Sequence, residues 1–173
     1  MKDLASVVET RRVELPSGYV YADAAAISLD ERRKLDAEVN GPFDSPLNRA
    51  DWSIRGFGIT GCIDVGVRNI ADEELVGIGR LLVTDHAGAR IDINLLSGEL
   101  SHFMVNPAHR KRGIGTAILL ERMRIAEGLE VYKLFISALD KRNTLCGKYP
   151  ELGFEEDSRG NLWLDKRSSM TAA

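Results

Sequence analysis

Arg110-Lys111-Arg112-Gly113-Ile114-Gly115-Thr116 stands between an apolar stretch that ends at Val105 and a long apolar segment. In that segment apolar residues recur at helical spacing, at Leu119, Leu120, Met123 and Ala126. The spacing predicts a buried helix that begins directly after the two glycines. The first N–H groups of a helix lack intrahelical partners and carry partial positive charge, so this turn has the properties of a diphosphate-binding site.

The residue types in the turn favour a diphosphate over other phosphate ligands. Gly113 and Gly115 leave the backbone accessible, and the basic run at residues 110–112 can pair with phosphate. The turn lacks the Gly-Lys-Ser/Thr ending of a P-loop, which argues against a nucleoside triphosphatase. It also lacks the Gly-x-Gly-x-x-Gly pattern of a dinucleotide site. Taken alone, such a turn is more often an ordinary start of a helix.

A second segment makes the pattern more specific. The wider turn, Val105-x-Pro107-x-x-Arg110-x-x-Gly113-Ile114-Gly115-Thr116, is followed by an apolar run at residues 133–138 and then by Tyr149-x-x-x-Gly153-Phe154. In this order the two motifs resemble the GNAT superfamily of N-acetyltransferases over roughly residues 74–166. The resemblance implies an α/β (α+β) fold: a mixed, mostly antiparallel central sheet flanked by helices, with two central strands splayed around coenzyme A.

The resemblance also implies a cofactor site. Acetyl-CoA would be the acyl donor, its diphosphate bound by the N–H groups of residues 110–116. Its pantetheine arm would pair with exposed strand backbone at Phe103, Met104 and Val105, and Asn143 would bond the arm from the other side. No metal is expected, because the histidines do not show ligand spacing with the cysteines. The residues expected at the cofactor are Phe103, Met104, Val105, Arg110, Lys111, Arg112, Gly113, Ile114, Gly115, Thr116 and Asn143.

Glu99 is the candidate general base. An alkyl ammonium group has a pKa of about 10.4, so an amine acceptor must lose a proton before it attacks a thioester. Glu99 lies six residues before Val105, where some members of the superfamily place a base. In a regular strand Glu99, Ser101, Phe103 and Val105 share one face. The alternative is that Glu99, which follows Ser97-Gly98, is an exposed turn residue.

Two further residues compete for or complete the chemistry. His102 has a suitable unperturbed pKa of about 6.5, but regular alternation places it on the opposite face from Glu99. A β-bulge in the strand would shift the alternation and could place His102 on the same face as Glu99. Tyr149 occupies the tyrosine position of the family and is the candidate acid for the leaving thiolate. The alternative for Tyr149 is a core tyrosine with a satisfied hydroxyl.

Composition bounds the class of protein. The chain has 173 residues, 44% hydrophobic and 28% charged, which predicts one globular domain over residues 1–173. A net charge of −3 argues against general nucleic-acid binding. No apolar run approaches the length of about 20 residues that a membrane span needs. Only two cysteines are present, so a reducing cytoplasm is the expected location.

The remaining segments predict strands around one early helix. Ser28-Leu-Asp-Glu31 is a capping box that opens a helix to about Val39. Strands are predicted at residues 18–22, 59–68, 75–84, 100–105, 133–138, 155–157 and 161–166, with an extra hairpin near 90–98.

Together these features predict an enzyme that moves an acetyl group from acetyl-CoA to a primary amine by direct attack on the thioester. The acceptor could be a small molecule or a protein, and a homodimer is left open. The alternative is a non-catalytic acyl-CoA-binding sensor or structural domain of the same fold.

Overall fold

The computed structural model describes residues 12–40, 59–85, 96–136 and 148–165. It contains seven strands in one sheet and two α-helices. The elements are β1 (Tyr19–Ala22), α1 (Leu29–Asn40), β2 (Ile59–Asn69), β3 (Leu75–Asp85), β4 (Leu96–Val105), α2 (Ile114–Gly128), β5 (Val131–Ile136), β6 (Glu155–Glu156) and β7 (Leu162–Asp165). Asn143 and residues 90–95 of the hairpin predicted near 90–98 lie outside the described residues, whereas residues 96–98 belong to β4.

The sheet has the order β1-β2-β3-β4-β5-β7-β6. Neighbouring strands from β1 to β4 are antiparallel, β4 and β5 are parallel, and β5, β7 and β6 are again antiparallel. The one parallel pair requires a crossover, which α2 supplies. The predicted fold class, a mixed and mostly antiparallel sheet flanked by helices, is confirmed.

The first helix begins where the capping box predicts. The Ser28 hydroxyl accepts a hydrogen bond from the Glu31 N–H at 3.2 Å, and the Glu31 carboxylate accepts one from the Ser28 N–H at 2.8 Å. These bonds satisfy donors that the helix itself leaves without partners. From this start α1 buries Leu35 against Ile78 and Met104, so α1 covers one face of the sheet.

The second helix covers the opposite face. Its apolar residues Ile114, Ile118 and Ile125 pack on inward-facing side chains of β2, β3 and β4. Two strand glycines let it approach closely: a Cβ at Gly77 would lie 2.9 Å from Ile118, and one at Gly79 would lie 2.8 Å from it. The two helices therefore enclose the sheet, and their contacts define which strand residues belong to which face.

A β-bulge in β4 corrects the predicted alternation. Ser101 pairs with Arg80 and Met104 with Ile78, so β4 holds one residue more than β3 over this interval. The extra residue is accommodated at His102, whose φ is 49°. The prediction that side chains alternate regularly between the two faces after Ser101 is therefore wrong. Glu99, Ser101, His102 and Met104 lie on the α1 face, whereas Leu100, Phe103 and Val105 lie on the α2 face.

The strand boundaries also differ from the expected ones. β4 begins at Leu96 rather than Leu100, because residues 96–99 pair with both neighbouring strands. Glu99 is consequently a residue of a central strand, opposite Leu82 on one side and Phe135 on the other. The alternative placement of Glu99 in an exposed turn is excluded.

Candidate active site

The pairing of β4 and β5 ends partway along β4. Within the described residues the last pair is Glu99 with Phe135, although β4 continues to Val105. Beyond it, Asn106 donates its N–H to the Val76 carbonyl of β3 at 2.8 Å. Because peptide groups alternate in direction along a strand, the Val105 N–H and C=O point away from β3. Residues 100–105 thus present backbone toward the β5 side, in a position we call the β4 margin.

The turn after β4 leads directly into the N-terminus of α2. The side chain of Asn106 accepts the Ala108 N–H at 2.9 Å and starts a short 3₁₀ turn at Pro107–His109. Lys111 and Gly113 then adopt left-handed backbone, with φ of 60° and 86°. This conformation explains why glycine stands at position 113, since the backbone of a residue with a side chain would be strained there.

The N-terminus of α2 has the backbone arrangement of an anion site. Gly113 is its N-cap, and among the described residues no side chain caps it. The Ala117 N–H bonds the Gly113 carbonyl at 3.0 Å, so the amides of Ile114, Gly115 and Thr116 precede the first helical hydrogen bond. The Ile114 side chain is fully buried and anchors the turn. Backbone N–H groups at such a position form an anion site.

The basic side chains of the turn are exposed at its rim. The Arg110 Nε donates to the Val105 carbonyl at 3.0 Å, which folds this side chain back over the end of β4. The Arg112 guanidinium donates to the Tyr19 hydroxyl at 3.1 Å, and that hydroxyl lies 3.0 Å from the His109 Nδ1. The N-terminal segment therefore orders one side of the turn, a contact that the sequence did not reveal.

A buried ionic cluster lies beside β4 on the α1 face. Asp64 of β2 accepts two hydrogen bonds from Arg80 of β3, at 2.7 and 2.9 Å, and a third from Arg32 of α1. Burial favours the neutral acid, but the hydrogen bonds and charges of Arg80 and Arg32 outweigh it and hold the pKa of Asp64 below its ordinary value. The cluster joins α1 to the sheet beneath Ser101 and His102.

The surroundings of His102 favour the neutral form of its imidazole. Burial is the main cause that lowers the pKa of its imidazole, and the charge of Arg80 adds to it, while Asp64 opposes both. Its Nδ1 lies 3.0 Å from the Ser101 hydroxyl. A neutral imidazole can accept a proton, so the bulge places a second candidate base on the α1 face, where Glu99 also lies.

Asp64→Asn is expected to lower the free energy of unfolding by about 3 kcal/mol at pH 7, because it leaves buried guanidinium charge uncompensated. The folded-state pKa of Asp64 is depressed, so its contribution is fully present above the ordinary value of 3.8 and is lost as pH falls through the lower folded-state value. Urea unfolding at a series of pH values checks this. The difference in free energy of unfolding between wild type and variant should become smaller in acid. A difference that does not depend on pH would contradict the depressed pKa of Asp64.

Tyr149 lies at the beginning of a 3₁₀ turn, Pro150–Leu152, that leads to the left-handed Gly153. Its ring meets Phe154 edge to face, with centroids 5.6 Å apart, and only 2% of its surface is exposed. The predicted tyrosine is thus held rigidly in the core cluster on the α2 face. Its role as an acid stays a prediction.

The structure brings most of the predicted cofactor residues together. Phe103, Met104 and Val105 form the end of β4. Residues 110–116 follow directly after the short 3₁₀ turn that ends at His109. Glu99 lies on the α1 face, whereas Tyr149 lies in the core cluster of the α2 face. Sequence reasoning missed Arg122, a charged residue inside the apolar stripe of α2. A charge at a buried helical position is a signal that could have identified it.

Within the described ranges, no group of three or more His, Cys, Asp or Glu residues could hold a metal ion. None of the helices described is long and apolar enough to cross a membrane.

Known proteins share this fold. An acetyltransferase from Trypanosoma brucei superposes with a TM-score of 0.59 at 20% identity, covering 82% of this chain and 94% of that chain. Glucosamine-6-phosphate N-acetyltransferase from Arabidopsis thaliana gives 0.55 at 14% identity, covering 81% and 93%. The sequence has no match among curated proteins. At these identities the likenesses establish the fold alone.

The sequence pattern of the acetyltransferase (GNAT) family matches residues 31–154. This span is more than half of the 173 residues and contains most of α1, the strands β4 and β5, the glycine turn and Tyr149. The chain belongs to the acetyltransferase (GNAT) family.

Proposed function

We propose that the protein transfers an acetyl group from acetyl-CoA to a primary amine by direct attack on the thioester. One observation carries the proposal: within the described residues, the pairing of β4 with β5 ends at Glu99 and Phe135, and β4 then leads to the N-terminus of α2, where no described side chain caps Gly113. The margin offers strand-like hydrogen bonds to an amide chain, and the helix start offers N–H groups to a diphosphate. Coenzyme A is a molecule that contains both, joined in that order.

The residues at the two places have distinct binding roles. The amides of Ile114, Gly115 and Thr116 face the diphosphate, and Lys111 and Arg112 add charge at the rim. The Val105 N–H binds the pantetheine arm, since it points away from β3, whereas the Val105 carbonyl accepts from Arg110. Asn143, outside the described residues, is proposed to hold the arm from the opposite side.

Acetyl-CoA supplies the activated acyl group, and the chain has to move protons and stabilise charge. Glu99 takes the proton of the ammonium acceptor, directly or through water, from the α1 face of β4. A backbone N–H of the β4 margin donates to the thioester oxygen as charge develops there. Tyr149 donates to the leaving sulfur. The acceptor, a small amine or a protein amine, approaches from the α1 face.

Glu99→Gln is expected to lower kcat roughly tenfold near neutral pH, because an amide cannot accept the proton and general base catalysis contributes at least this much. The rate should recover at high pH, where the amine is already neutral. Steady-state rates from pH 6 to 10, with coenzyme A affinity measured in parallel, check this. Ser97→Ala, two residues earlier in β4, serves as the control.

Glu99 and His102 can be separated in the same experiment. If His102 is the base, His102→Gln rather than Glu99→Gln should lower kcat near neutral pH and recover the wild-type rate at high pH. If neither variant differs from wild type at any pH, bulk water removes the proton and the Glu99 role is wrong.

Calorimetric titration with acetyl-CoA and with coenzyme A tests the proposed function, followed by assay of thiol release with a panel of amines. Saturable binding with one molecule per chain and amine-dependent thiol release support the enzyme. Binding without turnover on any amine supports the non-catalytic alternative. No binding overturns the proposal.

A further inference from the structure

Arg122 lies in the third turn of α2, between Ile118 and Ile125 on the buried side of the helix. Only 1% of its surface is exposed. Burying a guanidinium is costly unless hydrogen bonds compensate for the lost water. Its contacts therefore show why a charged residue is placed in this apolar stripe.

The guanidinium of Arg122 lies against the bulge of β4. Its Nη1 donates to the Arg80 carbonyl at 3.1 Å and to the Ser101 carbonyl at 3.3 Å. Arg80 and Ser101 face each other across β3 and β4 as the last regular pair before the bulge. On the other side of the bulge, the Phe103 ring lies 5.3 Å from the guanidinium carbon. Arg122 thus contacts residues on both sides of His102.

Gly79 provides the space for this contact. It lies in β3 opposite the bulge, between the residues paired with Ser101 and Met104. A Cβ at Gly79 would come within 2.9 Å of the Arg122 Cζ and Nε. An ordinary side chain at this position would displace the guanidinium, so the glycine and the arginine form one arrangement.

The bulge decides which backbone groups of the β4 margin point away from β3. Without it, the regular register from Ser101 would pair Phe103 with Ile78 and would direct the Val105 N–H toward β3. With the extra residue, Met104 pairs with Ile78, and Asn106 bonds Val76. The Val105 N–H is then turned outward, where the proposed function needs a donor.

We propose that Arg122 is a positioning residue for acyl transfer, which holds the β4 bulge and thereby keeps the Val105 N–H directed away from β3. This inference rests on the proposed function for its catalytic consequence. Arg122 itself touches no substrate. Its effect passes through the backbone of Ser101 and the conformation of His102.

The structural part of the inference, that Arg122 holds the bulge, can be tested without an activity assay. In the isotopically labelled protein, the coupling between the amide and α protons of His102 reports its φ, which is 49° in the structure. Arg122→Met and Gly79→Ala should both shift this coupling toward the extended range, and Arg122→Lys should shift it less. Ile125→Ala removes core packing one turn away and should leave it unchanged. A left-handed His102 in both Arg122→Met and Gly79→Ala would overturn the inference.

The catalytic part is tested on the same variants with acetyl-CoA and an active amine. Arg122→Met should lower kcat roughly tenfold or more, since a small misplacement of a catalytic group can cost on the order of 100-fold. Coenzyme A affinity should also fall, because the Val105 N–H binds the pantetheine arm, but by a smaller factor than kcat. Arg122→Lys should recover part of both. Rates are compared below the melting temperature of every variant.

Two outcomes separate the inference from the proposed function. If Arg122→Met loses no more kcat than Ile125→Ala, Arg122 is a structural residue only and the inference is wrong. If the wild type neither binds nor turns over acetyl-CoA, the proposed function and the catalytic half of the inference fail together. The coupling measurement then decides the structural half by itself.

Discussion

Gly115→Trp is expected to raise the dissociation constant of coenzyme A at least ~100-fold while the fold is retained. Gly115 lies in the first turn of α2, next to the amides that precede the first helical hydrogen bond. An indole at this position would cover these N–H groups. Loss of two hydrogen bonds to a charged group, each contributing about 1.5 to 3 kcal/mol, accounts for the size of the effect.

The fold should survive because Gly115 is not a buried core position and tryptophan has a higher helix propensity than glycine. Calorimetry with coenzyme A measures the effect, and the melting temperature checks the fold. Glu127→Trp, an exposed position in the last turn of the same helix, is the matched control and should bind normally. Unaltered affinity in Gly115→Trp would show that the diphosphate does not bind at this helix start.

Local chemistry explains what the sequence could predict. The glycine turn and the Ser28 capping box depend on residues within one helical turn of each other, so their patterns are readable directly. Gly113 indeed takes the left-handed conformation at the N-cap of α2. Strands with alternating residues, such as β2 and β3, also appear at their predicted places.

Non-local contacts explain what the sequence could not predict. The position of the bulge depends on the register between β3 and β4 and on Arg122, which is 21 residues from Ser101 along the chain. Alternation in one strand carries no information about an extra residue, so the faces of His102, Phe103 and Val105 were predicted wrongly or left open. The Asp64 cluster likewise joins three elements, and none of its members is distinctive in the sequence.

The bulge also changes how the proposed catalytic groups relate to each other. It places His102 on the same face as Glu99, so both candidate bases adjoin the side from which the proposed acceptor would approach. The acid must then act from the other side of β4, where Phe103 and the α2 cluster lie. Tyr149 belongs to that cluster. A division of candidate base and candidate acid between the two faces suits the proposed reaction, in which an amine attacks one side of a thioester.

Tyr149→Phe is expected to lower kcat roughly 100-fold, because a general acid that assists a leaving group contributes about this much or more. A phenol has a pKa of about 10 and remains protonated at neutral pH, so it can donate to the sulfur as the thiolate forms. Phenylalanine keeps the ring and its edge-to-face contact with Phe154, at 5.6 Å between centroids in the wild type. Coenzyme A affinity and the melting temperature should therefore change little.

Tyr132→Phe is the matched control, since it removes a phenol hydroxyl from half-buried β5 and should leave kcat unchanged. Steady-state rates with saturating acetyl-CoA, measured across pH, separate the two tyrosines. If Tyr149→Phe keeps the wild-type rate at every pH, the buried hydroxyl serves packing alone and the leaving thiolate departs without an acid from the protein.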